Sequence, residues 1–399
     1  MSALERATGP PRWAVVAIAV GAVTIDAALL GLIAPLLPAI EERTGASQAA
    51  LGVALAAYAV PIALLSLPLG RAADRIGRRL LLAGGLAVVA AGSVLIAVSE
   101  SLALLITARV VQGIGSAAGW IAALALVSDS AAPERRGQTL GFAFAATSAG
   151  SIAGPGLGGV AADVISFEAP FLICAGVAAA LLVASLTLLP REPPRRAPAL
   201  PALATIRRTM RAPVGRWAAA IVLASALTLG VVEVVAPLDL NARLGLSSAA
   251  IGVLFAASIA VDVVLSPLGG RWGDRRGRLL PALLGLATTA LSTLLLAVLP
   301  GAGGATVALI VYGAGFSLSF AAATPWLDEA FGESERGLAY GVQSLLYAGG
   351  YAIGPIAGGL LLNVGGAGLA YGLTAGALAA GTVALFLAAR ARADHPVKG

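Results

Sequence analysis

Four charged residues lie deep inside stretches of sequence that are otherwise almost wholly apolar: Asp26, Arg109, Glu233 and Asp262. A carboxylate in such surroundings can take up and release a proton or hold a cation, and a guanidinium can organise or oppose it. Charge inside an apolar span is costly and is kept where function needs it. Aromatic residues make up only 5% of the chain, so those on the same stretches stand out: Tyr58, Trp120, Phe144, Tyr347 and Tyr351. Rings beside a carboxylate suit a lipophilic cation. The amides Gln112 and Gln343 complete this candidate set for binding a substrate or a proton.

Other chemistries are excluded by what the chain lacks. It has one Cys, Cys174, and one His, His395, so it offers no disulfide framework, zinc cluster or His-based triad. No metal site, nucleophile–base pair or Walker sequence is found, so neither an enzyme nor an ATP-driven pump is expected. The segment Gly154–Gly159 fits G-x-G-x-x-G, but no strand precedes it, and a dinucleotide fingerprint requires a βαβ unit. The net charge of +6 includes a single lysine, Lys398, whereas nucleic-acid binding needs clustered bases.

The elements that must position these residues follow from hydropathy. Of 399 residues, 59% are apolar and 12% charged. A helix needs about 20 apolar residues to cross a bilayer. Twelve such runs occur, at 13–37, 50–69, 80–99, 102–127, 138–162, 169–189, 214–238, 248–268, 280–299, 304–327, 338–362 and 367–389. The expected fold is an all-α integral membrane protein of twelve transmembrane helices in two six-helix, pseudo-symmetric bundles. Residues 1–189 would form the first bundle and 214–399 the second, with the Pro- and Arg-rich segment 190–213 as a cytoplasmic linker. The first run is too long for a cleaved signal peptide.

The positive-inside rule orients the chain. With both termini cytoplasmic, only Arg43, Arg109 and Arg243 of the 26 Lys and Arg residues fall outside the inner segments. At about 1.5 Å per residue, Asp26 and Arg109 then sit at similar heights in the outer half. Glu233 lies near the outer end of its run and Asp262 in the inner half of its own. Asp26 is expected to pair with Arg109, or to serve a proton and a cationic substrate in turn.

The chain repeats itself at an offset of 200. Gly70, Arg71, Asp74, Arg75, Gly77 and Arg78 recur as Gly270, Arg271, Asp274, Arg275, Gly277 and Arg278. Arg136, Gly137, Gly150, Gly154, Pro155 and Gly158 recur as Arg336, Gly337, Gly350, Gly354, Pro355 and Gly358, and Asp129 maps onto Glu329. Parallel six-span repeats related by an axis along the membrane normal are built this way. Arg78 is placed to pair with Asp129, and Arg278 with Glu329, as latches that a conformational change would break. Charge that merely fixes topology would use the same arginines. Glycines every four residues at Gly150, Gly154 and Gly158 line one helix face and admit a close neighbour, and Pro155 allows a bend.

These motifs resemble those of the major facilitator superfamily over essentially the whole chain. Gly70–Arg79 is similar to its signature loop and Arg109–Gly115 to a second motif. Gly150–Gly159 resembles the pattern of proton-coupled antiporters. Asp26 ahead of Pro35 and Pro38, with Gly350–Pro355, is similar to multidrug and vesicular amine exporters, although Ser319, Phe320, Gln343 and Ser344 stand where amine transporters carry further acids. The resemblance implies secondary export of a small lipophilic, cationic drug or amine in exchange for protons. A proton gradient would be the energy source and no cofactor is implied. The protein would be a monomer in the plasma membrane. The alternative on the same fold is a proton symporter or facilitator for a sugar or other small metabolite. The scarcity of polar side chains in the spans ranks that second.

Overall fold

The computed structural model describes residues 12–130, 136–190, 213–329 and 336–394, together with Arg207, Met210 and Phe331. Most of the expected linker 190–213 lies outside the described residues. Among those described there is no strand. In lipid every backbone amide and carbonyl must find its partner within the protein, and a helix does this inside one segment. Long apolar runs therefore fold as helices.

The first run forms α1 (Arg12–Leu32), a 3-10 turn at Ala34–Leu36 and the short α2 (Leu37–Thr44). Pro35 and Pro38 lack an amide donor, which is why the helix is interrupted there. The chain continues through α3 (Gln48–Ile76), α4 (Arg78–Ala97), α5 (Leu102–Ser130), α6 (Arg136–Val164) and α7 (Ala169–Leu188). Then come α8 (Pro213–Leu244), α9 (Ser248–Arg276), α10 (Leu279–Val298), α11 (Gly301–Glu329) and α12 (Arg336–Asp394).

Two of the twelve apolar runs share α12, which is broken only at Gly366, where φ is 72° and ψ −179°. The runs therefore fall on eleven helices, with α2 as an extension of the first. Ten helices among the described residues are long and apolar enough to cross a membrane, and Gly341–Arg390 counts as one of them. The helix α6 is not among the ten, because its Gly, Ser and Thr residues dilute its hydropathy.

The helices divide into two compact units. Unit 1 holds 1–46, 57–199 and 247–253, and unit 2 holds 47–56, 200–246 and 254–399. The same packing is built in each. In unit 1, α1 packs against α5 and α6, and α4 against α5 and α7. In unit 2, α8 packs against α11 and α12, and α10 against α11 and α12.

Glycine makes the tightest of these contacts. A methyl group at Gly154 on α6 would overlap the Ala28 carbonyl of α1, and one at Gly354 on α12 would overlap the Leu227 carbonyl of α8. Gly150 and Gly350 approach Thr24 and Leu223 in the same way. The turns at Gly77 (φ 87°) and Gly277 (φ 83°), which end α3 and α9, lie in a backbone region that residues with a Cβ avoid.

This packing makes a prediction. Gly154→Ala should cost about 1–3 kcal/mol through overpacking and lower the unfolding temperature in detergent. Gly176 on α7 has open space around its missing Cβ, so Gly176→Ala should leave the transition unchanged or raise it slightly. Equal transitions in the two variants would remove close backbone approach as the reason for Gly154.

Candidate functional site

In unit 1 the structure gathers Asp26 from α1, Tyr58 from α3, and Arg109, Gln112 and Ser116 from α5. Positions 109, 112 and 116 fall on one helix face because they are spaced by three and four residues. The Tyr58 hydroxyl donates to Asp26 Oδ1 at 3.1 Å and shares a 2.7 Å hydrogen bond with Ser116 Oγ. A phenol carries one proton, so Tyr58 donates in only one of these two bonds at a time. The Arg109 guanidinium carbon lies 4.4 Å from the centroid of the Tyr58 ring. One residue thus touches both the acid and the base.

Arg109 is fully buried. Its Nη1 donates to Gln112 Oε1 at 2.7 Å, Gln112 Nε2 donates to Ser93 Oγ of α4 at 3.0 Å, and Ser93 donates to the Val89 carbonyl at 2.9 Å. This chain anchors the arginine on two helices. Asp26 and Ser116 also line a small pocket with Trp120, Gly85, Gly115 and Gly119.

Unit 2 collects a different set. The Tyr351 hydroxyl of α12 donates to Glu233 Oε2 of α8, and both residues are buried. Tyr351 stacks on Tyr347 with centroids 6.2 Å apart, and Tyr347 meets Phe320 of α11 edge-on at 5.9 Å. Phe320, Phe316 and Tyr312 continue down α11 as stacked neighbours at 5.5 and 6.3 Å. Asp262 on α9 is tied to α11 through its backbone carbonyl, which accepts from Ser317 Oγ at 3.1 Å. Gln343 donates to Thr324 Oγ1 at 2.9 Å.

At the end of each unit where a glycine turn begins the next helix, an arginine is held by acids. Arg78 pairs with Asp129 and donates to the Ala125 carbonyl at 3.3 Å. Arg278 pairs with Glu329 at 2.9 Å and with Asp274 at 3.5 Å. The side chains of Asp74 and Arg136 and the surroundings of Gly70 lie outside the described residues; Arg75 is exposed, and Gly270 has open space where its Cβ would stand. At the opposite ends of α3 and α9 a second arginine repeats, each with a different acidic partner. Arg43 bonds Glu168 at 2.9 Å and stacks on Phe167 at 4.4 Å, and Arg243 bonds Asp239 at 3.1 Å and the Leu296 carbonyl at 3.2 Å.

Of the aromatic candidates, Tyr58 and Trp120 lie with Asp26, and Tyr351, with Tyr347 stacked on it, lies with Glu233. Phe144 does not: it is 47% exposed on α6 and makes no ring contact among the described residues. Sequence reasoning missed Ser93, Ser116, Tyr312 and Phe316, and took Phe320 only as a departure from a pattern. The spacing of Tyr312, Phe316 and Phe320 by four residues was the available signal, since it stacks rings on one helix face.

Two repeated helical units, with spans long enough to cross a bilayer and an acid held by a tyrosine in each, are the architecture of a multi-pass membrane transporter. The sequence profile of the Major Facilitator Superfamily matches residues 18–232 and 218–399, and the chain belongs to that superfamily. It is therefore a transporter of small molecules and not an enzyme. It is 30% identical to Multidrug resistance protein 1 of Bacillus subtilis over 274 residues, 67% of this chain and 69% of that protein. It is 27% identical to the human Synaptic vesicular amine transporter over 273 residues, 66% of this chain, and the match spans about half (52%) of that longer protein. In fold it matches a bacterial homologue of the human lysosomal transporter Spinster with a TM-score of 0.75, at 17% identity and 95% coverage of both chains.

The hydroxyl of Tyr58 can be tested directly. Tyr58→Phe removes the donor to Asp26 and leaves two buried polar groups short of a partner, at about 1–3 kcal/mol. Its unfolding temperature should fall, and Tyr58→Phe combined with Asp26→Ala should recover part of the loss. Additive losses in the double variant would mean that the two side chains do not interact.

Proposed function

We propose that this protein is a proton-driven exporter of a small lipophilic cation, a drug or an amine, working by alternating access as a monomer in the plasma membrane with both termini in the cytoplasm. The observation that carries this reading is the network of Asp26 with the buried Tyr58, Ser116 and Arg109. Ionised Asp26 accepts the Tyr58 hydrogen bond and faces the positive charge of Arg109. Once protonated it no longer opposes that charge, and the hydrogen bonds of Tyr58 and Ser116 can reorganise. A proton taken up at one side of the membrane and released at the other would thereby change the electrostatics of α1, α3 and α5 in each cycle. The proton gradient is the energy source.

The similarity to a multidrug resistance protein and to vesicular amine transporters supports a cationic, lipophilic substrate, as do the aromatic residues in a chain with so few of them. The pairs Arg78–Asp129 and Arg278–Glu329 fit the part of conformational latches, since each ties a turn between two helices to a third helix. Gly150, Gly154, Pro155 and Gly158 fit the part of a tight seam on which α6 bears against α1.

The test is uptake of tetraphenylphosphonium into proteoliposomes under an imposed pH gradient. Asp26→Asn keeps the shape and removes the titration, and should slow gradient-driven uptake roughly tenfold or more with the protein still folded. Wild-type rates in that variant would remove Asp26 from the coupling. Independently, Arg78→Ala should raise the labelling of a cysteine placed beside Asp129 and reduce transport at unchanged expression. If labelling and transport both stay at wild-type levels, these residues only fix topology.

A further inference from the structure

The arginines at the ends of the spanning helices are not all met by acids. Arg43, Arg78, Arg243 and Arg278 each stand against a carboxylate. Arg79 and Arg390 form no ion pair among the described residues, and each abuts an apolar run. Arg79 directly precedes the run 80–99, and Arg390 directly follows the run 367–389. Successive spans alternate in direction, so the start of the third run and the end of the twelfth lie on one side of the membrane.

Both guanidinium groups are nonetheless held in place. Arg79, in the first turn of α4, reaches across to α7 and donates through Nη2 to the Leu186 carbonyl. Its Nε is buried and has no hydrogen-bond partner. Arg390 lies over the ring of Phe386 on α12, 4.9 Å from the centroid. Phe386 stands 200 residues on from Leu186, so each unit sets a guanidinium against the same position of its last spanning segment. The two charges do not come from the same place. The residue 200 on from Arg79 is Leu279, which packs into the apolar core with Leu385, and the residue 200 before Arg390 is Pro190. Unit 1 supplies its cation from α4 and unit 2 from α12, yet both arrive at one spot. Beside that spot, Leu80 and Val183 in unit 1 and Leu280 and Val383 in unit 2 are exposed. The repeat has kept this apolar surface while moving the arginine.

We infer that each unit binds one anionic phospholipid at this corner, through Arg79 between α4 and α7 and through Arg390 on α12. The guanidinium takes the phosphodiester, and the exposed apolar faces beside it take the acyl chains. A guanidinium offers five donors in a fork that matches two phosphate oxygens, and among the described residues Arg79 spends them on one carbonyl. A charge at the border of the hydrocarbon, with no acid beside it and bare apolar surface next to it, is complementary to a lipid on both counts. Basic pockets between spanning helices bind such headgroups on the cytoplasmic side. The orientation proposed above makes this the inner leaflet, and the site rests on that reading for the name of the leaflet alone.

The experiment is native mass spectrometry of the purified full-length protein in neutral detergent, with dioleoyl-phosphatidylglycerol or dioleoyl-phosphatidylcholine added. The wild type should hold two phosphatidylglycerol molecules, each about fivefold or more tighter than phosphatidylcholine. Arg79→Gln and Arg390→Gln should each lose one of the two, and the double variant should bind both lipids alike. Arg390 is exposed, so its variant tests the site without disturbing the packing. Arg79→Gln also gives up the bond to α7. Arg79→Lys keeps the charge and should hold its lipid within about threefold of wild type. Unfolding temperatures and gel-filtration profiles establish that the variants are folded. Arg216 is exposed near the start of α8, and Arg216→Gln, which removes an equal charge elsewhere, should leave both lipids bound. Equal affinity of the wild type for the two lipids overturns the inference, as does retention of both phosphatidylglycerol molecules in Arg390→Gln. An equal loss in Arg216→Gln would reduce the effect to overall charge and overturns it too. Displacement of the lipid by millimolar inorganic phosphate would leave an ion site and no lipid site. Binding is read without a gradient. A protein that keeps both lipids but does not move tetraphenylphosphonium therefore overturns the exporter reading and leaves this inference standing.

Discussion

A charge carried into an apolar helical bundle has to be met where it sits, and in unit 1 that requirement converges on Tyr58. Its hydroxyl serves Asp26 and its ring serves Arg109. The acid and the base come from different helices, α1 and α5, and the tyrosine from a third, α3. None of the three helices could rotate about its axis without leaving a buried polar group unmet, which is among the more expensive defects a protein interior can hold. Gln112 and Ser93 extend the constraint to α4. Four helices are thus fixed in rotation by a handful of polar atoms, while their apolar faces, which resemble one another closely, would tolerate several alternatives.

The duplication preserved the frame and rewrote the interior. At an offset of 200 the turn glycines Gly77 and Gly277, the arginines Arg78 and Arg278, the arginines Arg43 and Arg243, and the seam glycines Gly154 and Gly354 all keep their structural positions. On the helix face that looks into each unit, however, Arg109, Gln112, Ser116 and Trp120 become Leu309, Tyr312, Phe316 and Phe320. A polar strip on α5 corresponds to an aromatic strip on α11. Tyr58 corresponds to Ser258, which bonds the Leu309 carbonyl at 2.7 Å and so satisfies backbone in place of a charged side chain. One unit is arranged to hold a charge pair, the other to hold rings beside acids.

Much of this frame was legible in the sequence because membrane spans announce themselves. Each of the twelve apolar runs falls on a helix, since a bilayer leaves long apolar segments little choice. The exceptions have local causes. Pro35 and Pro38 interrupt the first run, and α12 carries two runs because Gly366 breaks it without ending it. Buried charge was legible for a related reason: Asp26, Arg109 and Glu233 stand out against apolar neighbours. The rings were harder. Tyr312 and Phe316 look like ordinary apolar residues, and which helix face turns inward depends on packing that no single run encodes. Phe144 shows the same ambiguity in reverse, because an aromatic residue on a spanning helix suits the lipid-facing side as well as the interior. Ser93 and Ser116 could not be singled out among many small residues until their neighbours were placed.

What places them is backbone contact. Gly113, one residue beyond Gln112, lets α5 settle directly on the Tyr58 carbonyl of α3, where a methyl group would overlap it. Gly313 does the same for α11 on the Ser258 carbonyl of α9. Each of these glycines lies beside the functional strip of its helix, so the distance between strip and partner is set by two backbones in contact. Side chains on the strip can then differ as much as Gln112 differs from Tyr312 without moving the helices. Small residues that permit close approach are what hold helices together when lipid removes the hydrophobic drive. In this chain they also explain how one frame came to carry two different interiors: the geometry is fixed by residues that do no chemistry, and the residues that do chemistry are left free to change.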